Sequence, residues 1–354
     1  MRRRFVHLVA NHVIPCRRAY KLHLIDPSRF FYPTRPSSGS ADDGSPMEEF
    51  QLPPAAMTFY GPSEQGHLGS LDFMPLGQSC KKGIIGVDLK CRTIHCDAAA
   101  LAVSTMPEAH AAKSQPISVP VGDGVYVLQR NPVPYEDDEC VFEALIHGRG
   151  PESRCSPDWY WRPLPPPPFA LDPSYGFGKD FSNLIDGHTL VGGHHIWVSA
   201  GDAGTYSFST VAGTWSKVAN WAMPFSGRAE YIPELNTSLG FSSQDNQLCA
   251  SDLAAASSFD PPKLLGKWED VAQPKDWIPV MSSLVPLGSG KLFIAKFFET
   301  REKRYMKDDF FYSNSKNILV FTGVELERAG GKINMWKHKS MRYTIDGMRL
   351  HWVI

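Results

Sequence analysis

The run Gly204-Thr-Tyr-Ser-Phe-Ser-Thr-Val-Ala-Gly-Thr-Trp-Ser-Lys-Val-Ala-Asn-Trp-Ala-Met-Pro-Phe225 contains an aromatic strand, a turn and two tryptophans in order. From Tyr206 onward, aromatic residues alternate with small polar ones, which is the patterning of a half-buried β-strand. Trp215 follows nine residues after Tyr206, and a second strand-like stretch then ends near Pro224. We interpret the unit as two paired strands closed by a proline.

The same pattern recurs along the chain in weaker forms, with a Trp or a Leu/Met-Pro pair after a short apolar strand. The recurrences are residues 94–107, 141–169, 248–268 and 320–341. The distance between prolines is 58 residues from Pro107 to Pro165 and 59 from Pro165 to Pro224. Periods of this size are typical of propeller blades with loops of variable length. The predicted blade markers are Trp161, Trp215, Trp221, Trp268 and Trp336.

The predicted fold is therefore all-β: a β-propeller of about six blades, forming a single domain over residues 1–354. A four-stranded blade has two apolar faces, and stacking blades in a ring buries both of them. Gly and Pro are abundant, with 29 residues each, and the apolar runs are only four to seven residues long, rich in β-branched and aromatic side chains. A β-sandwich with irregular insertions remains an alternative.

The two ends of the chain are predicted to close the ring in one shared blade. Residues 5–9 and 20–26 read as a strand pair, and residues 341–345 and 348–353 read as a second hairpin. Asp346-Gly347 between alternating runs is the turn chemistry of a type I′ hairpin.

Three segments read as loops. Residues 34–50 are polar and nearly free of apolar anchors, so we expect a flexible loop, and residues 299–317 are expected to be a mobile insertion of mixed charge. The proline run at 163–168 is either a stiff exit from a strand, closed by Phe169, or a free polyproline ligand for an SH3-type partner. The first reading is preferred, because the Leu/Met-Pro ending recurs elsewhere without the run.

Several stretches resemble kelch-type propellers and, over nearly the whole chain, a plant family of unknown function that is expanded in grasses and related to F-box-associated kelch proteins. The kelch-like stretches are Ile196–Gly201, Gly204–Phe208 and Trp215, and the stretches that resemble the plant family are Arg2–Val9, Leu24–Pro33, Gly69–Phe73, Trp161–Phe169, Ala229–Asn236, Leu287–Lys296 and Lys337–Tyr343. The resemblance implies a kelch-like fold and no reaction. The given sequence begins in strand-like residues with no F-box helix ahead of them, so we expect no adaptor role in ubiquitin ligation.

Charge and the N-terminus restrict partners and compartment. The formal net charge is −1, so no global basic field attracts nucleic acid, and no apolar run is long enough to span a membrane. We therefore expect nucleic acid to be an unlikely partner and the protein to be cytoplasmic or nuclear. The basic, acid-poor start leaves an organelle transit peptide as an alternative.

No residue is assigned a catalytic, cofactor-binding or metal-binding role, and no cofactor is expected. Cys80, Cys91 and Cys96 with His95 lack the paired spacing of structural zinc sites. The adjacent His194 and His195 would point to opposite faces of a strand. Recognised nucleotide-binding, hydrolase and zinc-protease motifs are absent from the sequence.

Two functions fit a propeller without such motifs. The first is a non-catalytic interaction module that binds a protein or peptide through the loops on one face. The alternative is an enzyme of the metal-dependent hydrolase or lactonase type, with Asp, Glu, Asn or His from at least three blades converging in the central tunnel.

Overall fold

The computed structural model describes most of the chain as β-strand. The described residues are 4–14, 17–36, 47–64, 67–77, 83–134, 140–150, 156–172, 184–300, 305–307, 310–312, 316–345 and 351–354. Within these ranges there is no α-helix; the helical elements are short 3-10 turns such as Pro27–Phe30 and Pro168–Leu171. The all-β prediction is confirmed.

The strands are short in the first half of the chain and longer near its end. The first fourteen are β1 (Val6–Ile14), β2 (Arg17–Ile25), β3 (Glu49–Phe50), β4 (Met57–Tyr60), β5 (Ser63–Glu64), β6 (His67–Leu68), β7 (Leu71–Pro75), β8 (Ile84–Asp88), β9 (Thr93–Asp97), β10 (Ala102–Met106), β11 (Ile117–Val121), β12 (Gly124–Leu128), β13 (Phe142–Gly148) and β14 (Asp158–Pro163). The others are β15 (Ile185–Val191), β16 (His195–Ala200), β17 (Gly204–Ser209), β18 (Thr214–Ala219), β19 (Phe225–Ile232), β20 (Thr237–Ser242), β21 (Leu248–Ser251), β22 (Leu264–Trp268), β23 (Trp277–Gly288), β24 (Lys291–Thr300), β25 (Tyr305–Lys307), β26 (Phe310–Tyr312), β27 (Asn317–Ala329), β28 (Lys332–Ile345) and β29 (His351–Val353).

The chain divides into two compact units, and the second consists of Gly61–Tyr231, Ser251–Lys263 and Ile354. It contains three consecutive antiparallel meanders with the strand orders β7-β8-β9-β10, β11-β12-β13-β14 and β15-β16-β17-β18. Each meander uses neighbouring strands in chain order, as short turns favour. The run 204–225, where the sequence pattern is clearest, forms β17, β18 and the connection that follows them.

The first unit consists of Met1–Tyr60, Ile232–Ala250 and Leu264–Val353. Its sheets have the orders β29-β1-β2-β4 and β23-β24-β27-β28-β3. The predicted pairing of the N-terminal strands is confirmed, and the last strand joins them, with Leu8 opposite Val353. The predicted C-terminal hairpin is wrong: β28 pairs with β27 along nearly its whole length, whereas β29 pairs with β1.

Burial explains why the strand runs are so apolar. All five residues of β12 are buried, whereas Ala102–Thr105 of the outer strand β10 are all exposed. Strands near the middle of each meander are covered on both faces, so they need apolar side chains throughout. Phe142 and Phe208, on β13 and β17, pack edge to face at 4.9 Å inside one continuous core of the second unit.

Two inner strands of the second unit touch directly. β15 and β19 pair in parallel, with Gly187 opposite Gly227, and the Thr189 hydroxyl donates to the Ala229 carbonyl at 2.9 Å. A Cβ at Gly187 would lie 2.5 Å from the Phe225 carbonyl oxygen, closer than real Cβ atoms come. This glycine is therefore required for the close approach of the two strands.

The predicted loops are described only in part. Residues 37–46 of the loop predicted over 34–50 lie outside the described residues, while Glu49–Phe50 form β3, parallel to β28. Within 299–317, β25 pairs with β26 as a short hairpin. The proline run is a strand exit, as preferred: Leu164 and Phe169 are buried in the core and the Pro165 carbonyl accepts a hydrogen bond from Trp215.

Candidate functional site

In each meander of the second unit, the turn between the second and third strands lies on the same side as the connection that follows the fourth strand. The strands of a meander alternate in direction. The start of the first strand therefore lies on the same side as the turn between the second and third strands, and the end of the fourth strand lies there too. We call this the loop side. For β7–β10 it carries the turn between β8 and β9 and the connection 107–116, which leads to β11.

The turn on the loop side is fixed by Asp88 at the end of β8. Its carboxylate accepts hydrogen bonds from the backbone N–H groups of Lys90 at 2.8 Å and Arg92 at 3.0 Å, and from the Arg92 guanidinium at 2.7 Å. The connection 107–116 is joined to the same turn, because the Ala109 N–H donates to the Cys91 carbonyl at 2.8 Å. Turn and connection therefore form one structural piece.

A buried carboxylate on the next meander anchors this piece. Glu143 of β13 is fully buried, and its Oε2 accepts from the His110 backbone N–H at 3.1 Å and from His110 Nδ1 at 2.9 Å. Its Oε1 accepts from the Lys113 ammonium, which also donates to the Ala111 carbonyl at 3.0 Å. The Lys113 side chain is only 4% exposed. A buried charge pair with its partners satisfied holds one geometry, since breaking it leaves an uncompensated charge.

Two of the predicted blade markers also join consecutive meanders, each through a hydrogen bond from its indole N–H. The Trp161 indole N–H, on β14, donates to the Pro107 carbonyl at 3.0 Å and to the Thr93 hydroxyl at 3.2 Å. The Trp215 indole, on β18, donates to the Pro165 carbonyl at 2.8 Å. In both cases a Trp on the fourth strand of one meander bonds the proline that follows the fourth strand of the preceding meander. The Leu/Met-Pro and Trp parts of the repeat are thus hydrogen-bonding partners.

The other three markers lie in different surroundings. The Trp221 indole donates to the Ser257 carbonyl at 2.9 Å. Trp268 packs at the border of a core in the first unit, and Trp336 on β28 is covered by the Arg35 guanidinium, 4.5 Å from the ring centroid.

Between the turn, the connection and β13 lies a narrow cleft. Its walls include Met74, Leu89, Lys113, Glu143 and Trp161. The cleft is partly open, and the space in it that water can occupy is about 20 Å³, close to that of a single water molecule. Pockets for small molecules have volumes of roughly 300 to 1,000 Å³. The cleft is therefore a recess in a surface rather than a chamber for a substrate.

A second buried pair fixes a corresponding connection in the first unit. Asp270, between β22 and β23, accepts from the Lys296 ammonium of β24 at 2.8 Å and from the Leu248 N–H at 3.3 Å. Lys296 also donates to the Asn246 carbonyl at 2.7 Å. Burial raises the pKa of Asp270, and the neighbouring ammonium opposes that shift. Neither this pair nor the pair at Glu143 was predicted from the sequence.

The structure shows the surroundings of the described Cys and His residues that were considered for metal binding. Cys91 and Cys96 are not joined by a disulfide, and burial raises the pKa of Cys96 to about 11. His194 lies in a turn and not in a strand, so its ring comes within 4.4 Å of the His195 ring. Within the described ranges, no set of three or more His, Cys, Asp or Glu residues could hold a metal ion. In the same ranges, no helix has the length and hydropathy needed to span a bilayer.

Comparison with solved structures finds distant similarities. The β-propeller domain of Cps50 (Swd1) from Myceliophteria thermophila is 12% identical with a TM-score of 0.37, over 90% of this chain and 92% of that chain. The major allergen Mala s 1 of Malassezia sympodialis is 11% identical with a TM-score of 0.39, over 78% and 92%. The N-terminal domain of Nup159 is 9% identical with a TM-score of 0.34, over 78% and 69%.

No curated protein sequence matches the chain. A family profile does match it, from residue 3 to residue 343, and its description is "Protein of unknown function (DUF1668)". The match covers nearly the whole length, so the chain belongs to the DUF1668 family.

Proposed function

We propose that this protein is a non-catalytic interaction module, a kelch-like β-propeller that binds a protein or peptide on the loop side of its blades. The proposal rests on the structure of the loop side of β7–β14. There a turn and a connection are held rigidly by Asp88 and Glu143 around a recess too small to enclose a substrate. A preorganised surface of this kind loses little conformational entropy when a partner binds.

The surface also offers an apolar contact. Leu89, at the tip of the β8–β9 turn, is 53% exposed and borders the recess. An exposed aliphatic side chain beside fixed polar groups is the usual composition of a binding patch, in which an apolar anchor gives affinity and the polar rim gives specificity.

The family assignment does not state a propeller type or a number of blades. We propose a single propeller of about six blades over residues 1–354. The three consecutive meanders of the second unit and the pairing of β29 with β1 in the first unit support it. The sequence resemblance supports the kelch-like type and a grass origin. We also propose a cytoplasmic or nuclear location.

The test uses the full chain and a phage-displayed library of random peptides as the probe. Enriched peptides are measured for affinity against the unaltered protein, Leu89→Asp and Val211→Asp. Val211 is the matched control: it is 83% exposed but lies in the β17–β18 turn, on the side of its meander opposite to the loop side.

We expect Leu89→Asp to weaken binding by at least about 10-fold, as loss of an interface anchor does, and Val211→Asp to leave it unchanged. The proposal fails if no peptide is enriched. It also fails if the enriched peptides bind Leu89→Asp as tightly as the unaltered protein, or if both variants weaken binding equally.

A further inference from the structure

A second surface lies in the first unit, at the end of the β24–β27–β28 sheet that carries the β23–β24 turn and the start of β28. There the segment after the 3-10 turn Pro27–Phe30 packs against β28. We call it the aromatic–cationic face, and it consists of Phe31, Tyr32, Arg35, Lys291, Trp336, His338 and Lys339.

Rings and cations alternate across this face. The Lys291 ammonium lies 5.1 Å from the centre of the Phe31 ring, and the Lys339 ammonium lies 5.0 Å from the centre of the Tyr32 ring. The His338 ring centroid lies 5.0 Å from that of Phe31 and 6.1 Å from that of Tyr32. Tyr32 is 45% exposed, so its ring is accessible to a partner.

A hydrogen-bond network fixes the positions of these groups. The Tyr32 backbone N–H donates to His338 Nδ1 at 3.1 Å, so the other ring nitrogen carries the proton and donates to Glu325 at 3.3 Å. Burial lowers the pKa of His338, which keeps the ring neutral near pH 7. Arg35 then bridges Glu325 at 2.8 Å and Glu327 at 2.5 Å while it covers Trp336.

The acids at this end of the sheet are already engaged. Glu325 and Glu327 are bound to Arg35, and Glu234 accepts a hydrogen bond from the Ser289 N–H in the β23–β24 turn at 2.8 Å. Among the described residues no carboxylate forms an ion pair with Lys291 or Lys339, although Glu325 lies opposite Lys291 in the sheet and attracts it. Beyond Glu327 the chain has no acidic residue until Asp346, whereas the intervening residues include Arg328, Lys332, Lys337 and Lys339; Arg342 is paired with Glu49. A cluster of cations beside an exposed ring attracts a negatively charged partner that also has an apolar group.

We propose that the aromatic–cationic face is a second binding site, and that its occupant is an acidic peptide segment of a partner protein. The partner's carboxylates would meet Lys291 and Lys339, and an apolar side chain would pack on Tyr32.

A peptide fits better than a nucleic acid. Single strands bind through several aromatic rings whose faces are open for stacking, along a groove that follows the phosphates. Here Arg35 already covers Trp336, and Lys339 and Lys291 already stand by the other rings. The chain as a whole has a net charge of −1, which gives no long-range attraction for a polyanion.

The experiment measures binding to the full chain by fluorescence anisotropy. The probe is a labelled peptide in which Glu and Asp residues flank one Phe, and the comparison peptide has Gln and Asn in their place. The test variant is Lys291→Glu with Lys339→Glu. The matched control is Lys217→Glu with Lys263→Glu, which changes the net charge equally and also removes an ammonium 5.5 Å from an aromatic ring, that of Tyr206.

We expect the acidic peptide to bind at least about 10-fold more tightly than the neutral one at low salt, the test variant to lose this preference, and the control to keep it. Leu89→Asp is expected to keep it as well, which separates this site from the loop side.

The inference is overturned if the acidic peptide does not bind, or if test and control variants behave alike. It is also overturned if oligothymidylate or phosphatidylserine vesicles bind the unaltered protein more tightly than the peptide and lose binding in the test variant. The occupant would then be a nucleic acid or a membrane surface.

Discussion

Replacing Glu143 by Ala should destabilise the protein far more than replacing any exposed acid. The Lys113 ammonium would stay buried, with the Ala111 carbonyl as its remaining partner, and the His110 N–H groups would lose their acceptor. Breaking a buried pair from one side costs about 3–5 kcal/mol. A domain has only about 5–15 kcal/mol in total, so the loss is a large share of its stability.

The same reasoning predicts a rescue. In the double variant Lys113→Met with Glu143→Leu no charge is left buried, and such replacements of a buried pair are often neutral or stabilising. We therefore expect the double variant to lie only about 1–3 kcal/mol below the unaltered protein, because the His110 backbone N–H still lacks its acceptor while the exposed His110 side chain can turn to water. The coupling energy between the two positions would then be several kcal/mol.

The assay is urea denaturation at pH 7 followed by tryptophan fluorescence, with amide hydrogen exchange of residues 107–116 as a local readout. Lys267→Ala is the control, because its partner Asp245 and Lys267 itself are both more than a third exposed and their 2.5 Å contact is worth at most about 1 kcal/mol. The reasoning is refuted if Glu143→Ala costs no more than Lys267→Ala, or if the double variant is as unstable as the single one.

Three further outcomes are expected. Gly187→Ala should cost about 1–3 kcal/mol because its Cβ would meet the Phe225 carbonyl at 2.5 Å. The control Gly148→Ala, whose Cβ meets only the Tyr160 ring at 3.9 Å, should be within about 0.5 kcal/mol of neutral in the same urea titration. Burial, with Arg228 and Arg130 nearby, lowers the pKa of His188 to about 3 from 6.5. The unfolded chain therefore binds the proton more readily, and stability should fall as the pH drops below 6.5, by about 3 kcal/mol at pH 4.5; a His188→Gln variant that keeps the full pH dependence would contradict this. Trp161→Phe removes the donor to Pro107 and Thr93 and should cost about 1–3 kcal/mol of stability, measured as a shift of the urea midpoint. An unchanged midpoint would mean that the indole hydrogen bonds between the meanders do not stabilise the fold.

Local sequence patterns predicted single strands well and their partners less well. The alternation in residues 5–9 and 20–26 correctly indicated a strand pair, because the two segments are neighbours along the chain. Asp346-Gly347 is an equally good local signal, yet the strands on either side of it join different sheets. β28 finds a long register with β27, and β29 completes the sheet of β1. Long-range pairing of this extent outweighs the preference of two turn residues.

The spacing of Trp and Pro predicted a repeat but not its physical basis. The pattern treats Trp161 and Pro165 as parts of one unit. In the structure each proline carbonyl instead serves the indole of the following meander, so Pro165 is bound by Trp215 and Pro107 by Trp161. A contact between consecutive repeats produces the same spacing as a contact within one repeat, and a single sequence cannot distinguish them.

Each buried ion pair can be recognised in the sequence as a charged residue within an apolar run, which the overall composition does not show. Glu143 interrupts the apolar run Cys140–Ile146, and Lys296 interrupts Leu292–Phe298. A charge within a run that must be buried needs an opposite charge from elsewhere, because its desolvation is otherwise prohibitive. In each case that charge comes from the connection before the meander's first strand, 30 residues earlier for Lys113 and 26 for Asp270. The sign is reversed between the two units, so no residue motif is shared, although the same physical requirement produces both. A charged residue inside a strand run therefore predicts that a connecting loop is anchored, while the identity of the anchoring residue depends on the fold.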